Sequence, residues 1–194
     1  TADPQEVGKV DAVIFGVKGG ALVSAAKSCR HLLGDQTIVV PFLNGVEASE
    51  RLSKIIPGSH VANGLAQIST TITSPGVIQQ TGTFANFIFC EKNNRSSSRI
   101  KALQLAIKTS GSCAPETQDI DKAVWEKFVL FSAMSGITAA ARCNIGIILE
   151  SKSLKKLFMN VMKETADTGR ARGIDLSESI EKDIWEKVIK MPTN

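Results

Sequence analysis

The sequence predicts an α/β fold, a doubly wound sheet followed by an all-helical domain. Three observations carry this expectation. From Asp11 to Pro57, short apolar runs bounded by turn residues alternate with helical stripes. From His60 to Cys90, β-branched residues and short turns replace any helical stripe. Beyond Pro115, the apolar residues recur with helical spacing.

Taken in order, Asp11-Ala12-Val13-Ile14-Phe15-Gly16-Val17 is the first short apolar run and reads as a buried strand. Ala21 to Leu33 has helical spacing through Leu22, Ala25, Ala26, Cys29, Leu32 and Leu33, with Gly34 as the stop. Thr37-Ile38-Val39-Val40-Pro41-Phe42-Leu43 reads as a strand buried on both faces, ending at Asn44-Gly45. Ala48 to Ile56 is the second helix, closed by Pro57-Gly58. Val77–Thr81 and Phe84–Cys90 read as two strands after the Ser74-Pro75-Gly76 turn, added antiparallel at the sheet edge. Ser96 to Thr109 is a helix with Ile100, Leu103, Ala106 and Ile107 inward. Asp119 to Ala141 is one long apolar helix, and Ile145 to Glu150 a short one. Ser153 is expected to cap a helix with the stripe Leu154, Leu157, Phe158, Val161, Met162 and Thr165. Ser177 is expected to cap the last, with Ile180, Ile184, Trp185 and Val188 on its face. The domains are placed at 1–118 and 119–194.

Two absences shape the reading. A dinucleotide-binding sheet opens with strand, Gly-x-Gly-x-x-Gly and helix. Gly16-Val17-Lys18-Gly19-Gly20 lacks that spacing and is no P-loop either. With its linker-like Thr1-Ala2-Asp3-Pro4 and its end at Pro192-Thr193-Asn194, the sequence reads as an internal piece of a longer protein.

Composition bounds the function classes. In 194 residues, the net charge of +4 suits an anionic small ligand and falls short of a nucleic-acid footprint, because no Lys/Arg cluster with interleaved aromatics occurs. No stretch is long and apolar enough to span a membrane. Cys29, Cys90, Cys113 and Cys143 are widely separated, which excludes the usual zinc spacings and reads as reduced, buried thiols in a cytoplasmic protein. His31 and His60 are the only histidines and flank no nucleophile, which argues against a hydrolase triad. Asn94-Arg95-Ser96 matches a glycosylation sequon without other signs of secretion.

Three residues invite chemistry. Asn44 offers a carboxamide at the carboxyl end of a buried strand, where α/β sheets bind ligands; it also fits an ordinary Asn-Gly turn. Lys127 has Ala123, Val124, Leu130 and Phe131 as its helical neighbours, whereas Lys122 faces Gln118, Asp119, Trp125 and Glu126 and reads as solvated. An ammonium on an apolar face loses water, its pKa falls, and it becomes a proton donor suited to a carbonyl oxygen. The alternative is a snorkelling lysine whose head reaches water. Lys18, closing the first strand, either meets a nucleotide phosphate or ribose or is a plain surface charge.

At these residues the chain resembles the ketopantoate reductase (2-dehydropantoate 2-reductase) family. The segments that carry the likeness are Asp11 to Lys18, Val40-Pro41-Phe42-Leu43-Asn44-Gly45-Val46-Glu47 and Trp125-Glu126-Lys127-Phe128, with Ser74-Pro75-Gly76-Val77-Ile78 and Gly82 between them. The resemblance implies a Rossmann-type sheet lacking its first unit, then a truncated helical domain. It implies NADPH-dependent reduction of 2-dehydropantoate in pantothenate biosynthesis, with a small 2-keto acid as substrate, neither nucleic acid nor membrane as partner, and a homodimer left open. Lys127 matches the family's catalytic proton donor. Asn44 matches the asparagine that touches nicotinamide and substrate, and Lys18 a lysine near the cofactor NADP. Many members carry Asn four and eight residues after the catalytic lysine, as substrate contacts; here these positions are Phe131 and Ser135, of which only Ser135 can hydrogen-bond. Two other readings stand beside this one: a related 2-keto or 3-hydroxy acid dehydrogenase, and a non-catalytic binding module that retains the scaffold.

Overall fold

The computed structural model describes residue 1 and residues 3–192. The chain forms two compact units, Thr1–Ile120 and Asp121–Asn194.

In the first unit, β1 (Val10–Phe15) and β2 (Leu33–Pro41) pair in parallel, with Ala12 opposite Ile38 and Phe15 opposite Pro41. A parallel pair requires a crossover, and α1 (Leu22–Ser28) supplies it together with a 3-10 turn at Arg30–Leu32. A second crossover through α2 (Ala48–Ser53) returns the chain beside β2, where the Val39 N–H donates to the His60 carbonyl at 2.8 Å and Val39 bridges Val61 in parallel. The chain then continues as β3 (Ala62–Ser74) and turns back antiparallel as β4 (Val77–Glu91). Gly76 makes that turn at φ 79°, a conformation open to glycine. The helix α3 (Ser98–Thr109) starts at Ser97, whose hydroxyl accepts from the Ile100 N–H.

The packing explains why the carboxyl half of β2, Ile38–Pro41, is apolar while Asp35 and Gln36 before it are exposed. Side chains alternate between sheet faces. Val39 points into a core with Val13, Phe15, Leu22, Ala26, Leu52 and Ile56. Ile38 and Val40 point the other way, against Phe89, Ile100 and Ala114. A strand covered on both faces has no position for a polar residue except where a partner is built in. Thr37 is such a position: its hydroxyl donates to the Val10 carbonyl. Where β3 crosses β2, a Cβ on Gly64 would lie 2.8 Å from Val40 Cγ1 and 3.0 Å from Phe89 Cβ, so the close approach requires glycine.

The second unit is helical. It comprises α4 (Ile120–Ala141, beginning at the last residue of the first unit), α5 (Ile145–Glu150), α6 (Lys152–Ala171) and α7 (Ile180–Val188). Asn144 caps α5 and Ser151 caps α6, each side chain accepting from an N–H three residues on. The inner face of α6 presents Phe158, Met162, Ala166 and Gly169, and that of α7 Ile180, Ile184 and Val188. Phe158 meets Trp185 edge-on at 5.6 Å between ring centroids.

Several expectations are corrected. β1 ends at Phe15, so Lys18 lies in the following turn; Ile14 is 52% exposed, so β1 is covered on one face only. The helix expected over Ala21–Leu33 breaks after Ser28, and Gly34 lies inside β2 rather than ending a helix. β2 stops at Pro41, short of Leu43, and α2 stops at Ser53, short of Ile56. The two strands expected at Val77–Thr81 and Phe84–Cys90 are one, because a bulge at Gly82 (φ 71°) absorbs the register shift without breaking the ladder. In α3 Ile100 is buried as expected, but the second buried residue is Gln104, and Ala106 is exposed. Leu157 is likewise exposed in α6. Ser151 rather than Ser153 caps α6, and Ser179 rather than Ser177 holds the N-cap position of α7, without a capping bond from its side chain. Cys113 is exposed. Lys122 is only one-third exposed and lies 3.6 Å from the Asp175 carboxylate. Of the terminal residues read as linker-like, Ala2, Thr193 and Asn194 lie outside the described residues.

Candidate active site

On the α/β unit the sheet register brings two of the candidate residues to one edge. Phe15 and Pro41 are the last paired residues of β1 and β2. Lys18 and Asn44 each lie three residues further on, beyond the carboxyl ends of neighbouring parallel strands, and both are exposed. This is the end of an open α/β sheet at which ligands bind. The Phe42 N–H donates to the Phe15 carbonyl at 2.9 Å and carries the pairing toward Asn44. Gly45 follows at φ 99°, and α2 begins three residues later. The Lys18 turn is tied down from the same side, since Arg51 on α2 donates to the Gly19 carbonyl at 2.9 Å. The residues thus offer a carboxamide and an ammonium at a strand edge, a donor set that fits the ribose and phosphate oxygens of a dinucleotide.

On the helical unit, Lys127 is half-buried on α4 between buried Val124 and the next turn. Burial pushes its ammonium below the usual lysine range. Its Nζ stands 4.8 Å from the centroid of the Phe131 ring, and that ring is 42% exposed. The phenyl face attracts the cation and so opposes the burial effect, but an exposed cation–π contact is worth only about 0.5–1 kcal/mol. Ser135 continues the same face, exposed, with its hydroxyl donating to the Phe131 carbonyl at 2.5 Å. Lys127, Phe131 and Ser135 therefore form one stripe at successive turns of α4.

The Lys127 helix is fixed by a tight crossing. A Cβ on Gly169 of α6 would lie 2.8 Å from Leu176 Cδ1 and 2.9 Å from the Trp125 ring. Trp125 is almost fully buried, meets Phe128 edge-on at 5.6 Å, and carries the Arg172 guanidinium at 6.0 Å from its ring. No short-range pattern announces Gly169, because its partner Trp125 lies on another helix.

A cavity of about 490 Å³ sits elsewhere, on the α3 face of the sheet, lined by Asp11, Gln36, Ile38, Arg99 and Leu103 among others. It opens near the amino-terminal half of the strands, the wrong end for an α/β ligand site. It includes none of Lys18, Asn44, Lys127 or Ser135. Among the described residues no group of three or more His, Cys, Asp or Glu side chains is placed to hold a metal ion. No helix among them is long and apolar enough to cross a membrane.

Comparison with known proteins gives two family matches. The family described as Ketopantoate reductase PanE/ApbA matches residues 1–94, and its C-terminal counterpart matches residues 119–194. The chain is 25% identical over 186 residues to the "Uncharacterized oxidoreductase YkpB" of Bacillus subtilis, covering 96% of this chain and 61% of that protein. It is 25% identical over 178 residues to the 2-dehydropantoate 2-reductase of Halobacterium salinarum, covering 92% of this chain and 58% of that one. Among solved structures, the 2-dehydropantoate 2-reductase from Porphyromonas gingivalis W83 superposes with a TM-score of 0.90 at 26% identity, over 97% of this chain and 65% of that chain. The chain thus spans about three fifths of the length of the curated relatives it matches.

Proposed function

The chain belongs to the ketopantoate reductase family, with a Rossmann-type α/β unit followed by a helical one, and from that premise we propose that the whole protein reduces a 2-keto acid, ketopantoate in the first instance, with NADPH. The observation that carries this reading is Lys127: a half-buried amine on the apolar face of α4, with its pKa lowered by desolvation. A group that gives up its proton more readily than an ordinary lysine is matched to a carbonyl oxygen that becomes an alkoxide.

Each residue then has a role. Asn44 and Lys18, beyond the carboxyl ends of β2 and β1, would hold the dinucleotide, and the family likeness assigns Asn44 to its nicotinamide end. A dinucleotide held there would supply the hydride for the keto carbon. As the C=O π pair moves onto oxygen, Lys127 first donates a hydrogen bond to the growing negative charge and then transfers its Nζ proton, leaving a neutral amine that solvent reprotonates. Ser135 has committed its proton to the Phe131 carbonyl, so it meets substrate as a hydrogen-bond acceptor. The net charge of +4 favours the approach of an anionic keto acid and an anionic cofactor.

The test is NADPH oxidation by the whole protein with ketopantoate. The reading expects consumption of NADPH matched mole for mole by pantoate. Absence of turnover at saturating keto acid and cofactor removes it.

A further inference from the structure

The substrate face of α4 is unlike a site built to grip a hydroxyl. The group next to the Lys127 amine on that face is the Phe131 ring, with Nζ 4.8 Å from its centroid. That ring is 42% exposed beside the half-buried amine. The hydroxyls that follow donate to carbonyls of their own helix. Ser132 donates to the Phe128 carbonyl at 2.7 Å, Ser135 to that of Phe131 at 2.5 Å, and Thr138 to that of Met134 at 2.7 Å. Every serine and threonine on this length of α4 thus spends its proton on its own helix. The side chain one turn on from the amine, and in contact with it, is an exposed aromatic ring with no hydrogen-bonding group.

We infer that Phe131 is a specificity-determining residue, and that the preferred substrate is a 2-keto acid whose side chain near the keto group is branched and apolar, without a hydroxyl to be recognised. This rests on the reductase reading above and narrows its substrate class. A keto oxygen within hydrogen-bond reach of Nζ brings the adjoining carbon chain against the phenyl ring, because the amine already lies over that ring. Methyl groups placed there leave water for an apolar contact and gain. A hydroxyl placed there leaves water and finds no partner in the ring. An apolar wall discriminates only moderately against an added hydroxyl, by about 100-fold at most, whereas a site that hydrogen-bonds a hydroxyl rejects the analogue lacking it by about 10⁴-fold or more. The sign and size of the selectivity therefore separate the two kinds of site.

The experiment compares kcat/KM of the whole protein for ketopantoate and for the analogue whose terminal hydroxyl is replaced by hydrogen, with NADPH saturating. The inference expects the hydrogen analogue to be favoured by about 10- to 100-fold. It also expects Phe131→Asn, which places a donor and an acceptor at that position, to move the ratio at least about 10-fold toward ketopantoate. A structural role for Phe131 lowers both values together and leaves the ratio in place. If the unmodified protein prefers ketopantoate, or if Phe131→Asn leaves the ratio unmoved, the inference fails while the reductase reading stands. If neither keto acid consumes NADPH, the reductase reading fails and the inference falls with it.

Discussion

At the scale of the residue, the proposed chemistry rests on one amine whose surroundings oppose its charge. Burial lowers the Lys127 pKa from the ordinary 10.5. Between the lowered value and the ordinary one, the unfolded chain holds a proton that the folded chain has lost, so stability rises with pH across that window and the burial cost is felt at neutral pH. The proposed reduction runs the other way, since a proton donor must be the ammonium. The account predicts that kcat/KM for reduction falls with rising pH on a limb below the ordinary lysine range, and that Lys127→Ala abolishes the limb. A pH–rate profile of both proteins checks this; a limb that survives in the variant belongs to another group. The partial burial of Lys127 is legible in the sequence, because the apolar residues at helical spacing around it are local. Its contact with the Phe131 ring was legible only as proximity. The rotamer that lays Nζ over the ring depends on what else packs there.

At the scale of the element, two long-range fittings hold the parts that position the site. The first is ionic. Arg99 on α3 grips Glu91 at the end of β4 through Nε and Nη2, at 2.7 and 2.8 Å, and donates to the Ser59 carbonyl at 2.6 Å. Desolvation acts to raise the Glu91 carboxyl, but the hydrogen bonds from Arg99 and Ser97 and the charge of Arg99 outweigh it, and the group is held below its usual range. The stability this supplies is present above the unfolded carboxylate pKa and is lost as pH falls through the lower folded value. Arg99→Ala should cost about 1.5–3 kcal/mol, the worth of hydrogen bonds to a charged group, and should weaken the dependence of urea midpoint on acid pH. The second fitting is steric. Gly169→Ala places a methyl against the Trp125 ring, and overpacking of this kind costs about 1–3 kcal/mol. Urea unfolding measures the loss. A wild-type midpoint in Gly169→Ala contradicts the tight α4–α6 crossing.

These same contacts mark where sequence reading ran out. The apolar run of β2 and the Pro75-Gly76 turn were readable because their causes lie within a few residues: burial on both faces for the run, a positive φ for the turn. The continuity of β4 through Gly82 was not, because a glycine between two β-rich stretches fits a break as well as a bulge. Gly64, Gly169 and Arg99 gave no signal either, since each is defined by atoms of another strand or helix. The cap of α6 was misplaced by two residues because Ser151 and Ser153 both flank Lys152 and only the fold decides between them.

At the scale of the whole molecule, the chain pairs an α/β unit, with exposed Lys18 and Asn44 at the binding end of its sheet, with a helical unit that carries a desolvated lysine. Membership of the ketopantoate reductase family gives that pairing its sense. One measurement bears on it most directly: the turnover of keto acid and NADPH by the whole protein carrying Lys127→Ala. The account predicts a kcat lower by about 10²- to 10⁴-fold, the usual worth of a general acid, with cofactor binding unchanged. A variant that turns over at the wild-type rate contradicts it.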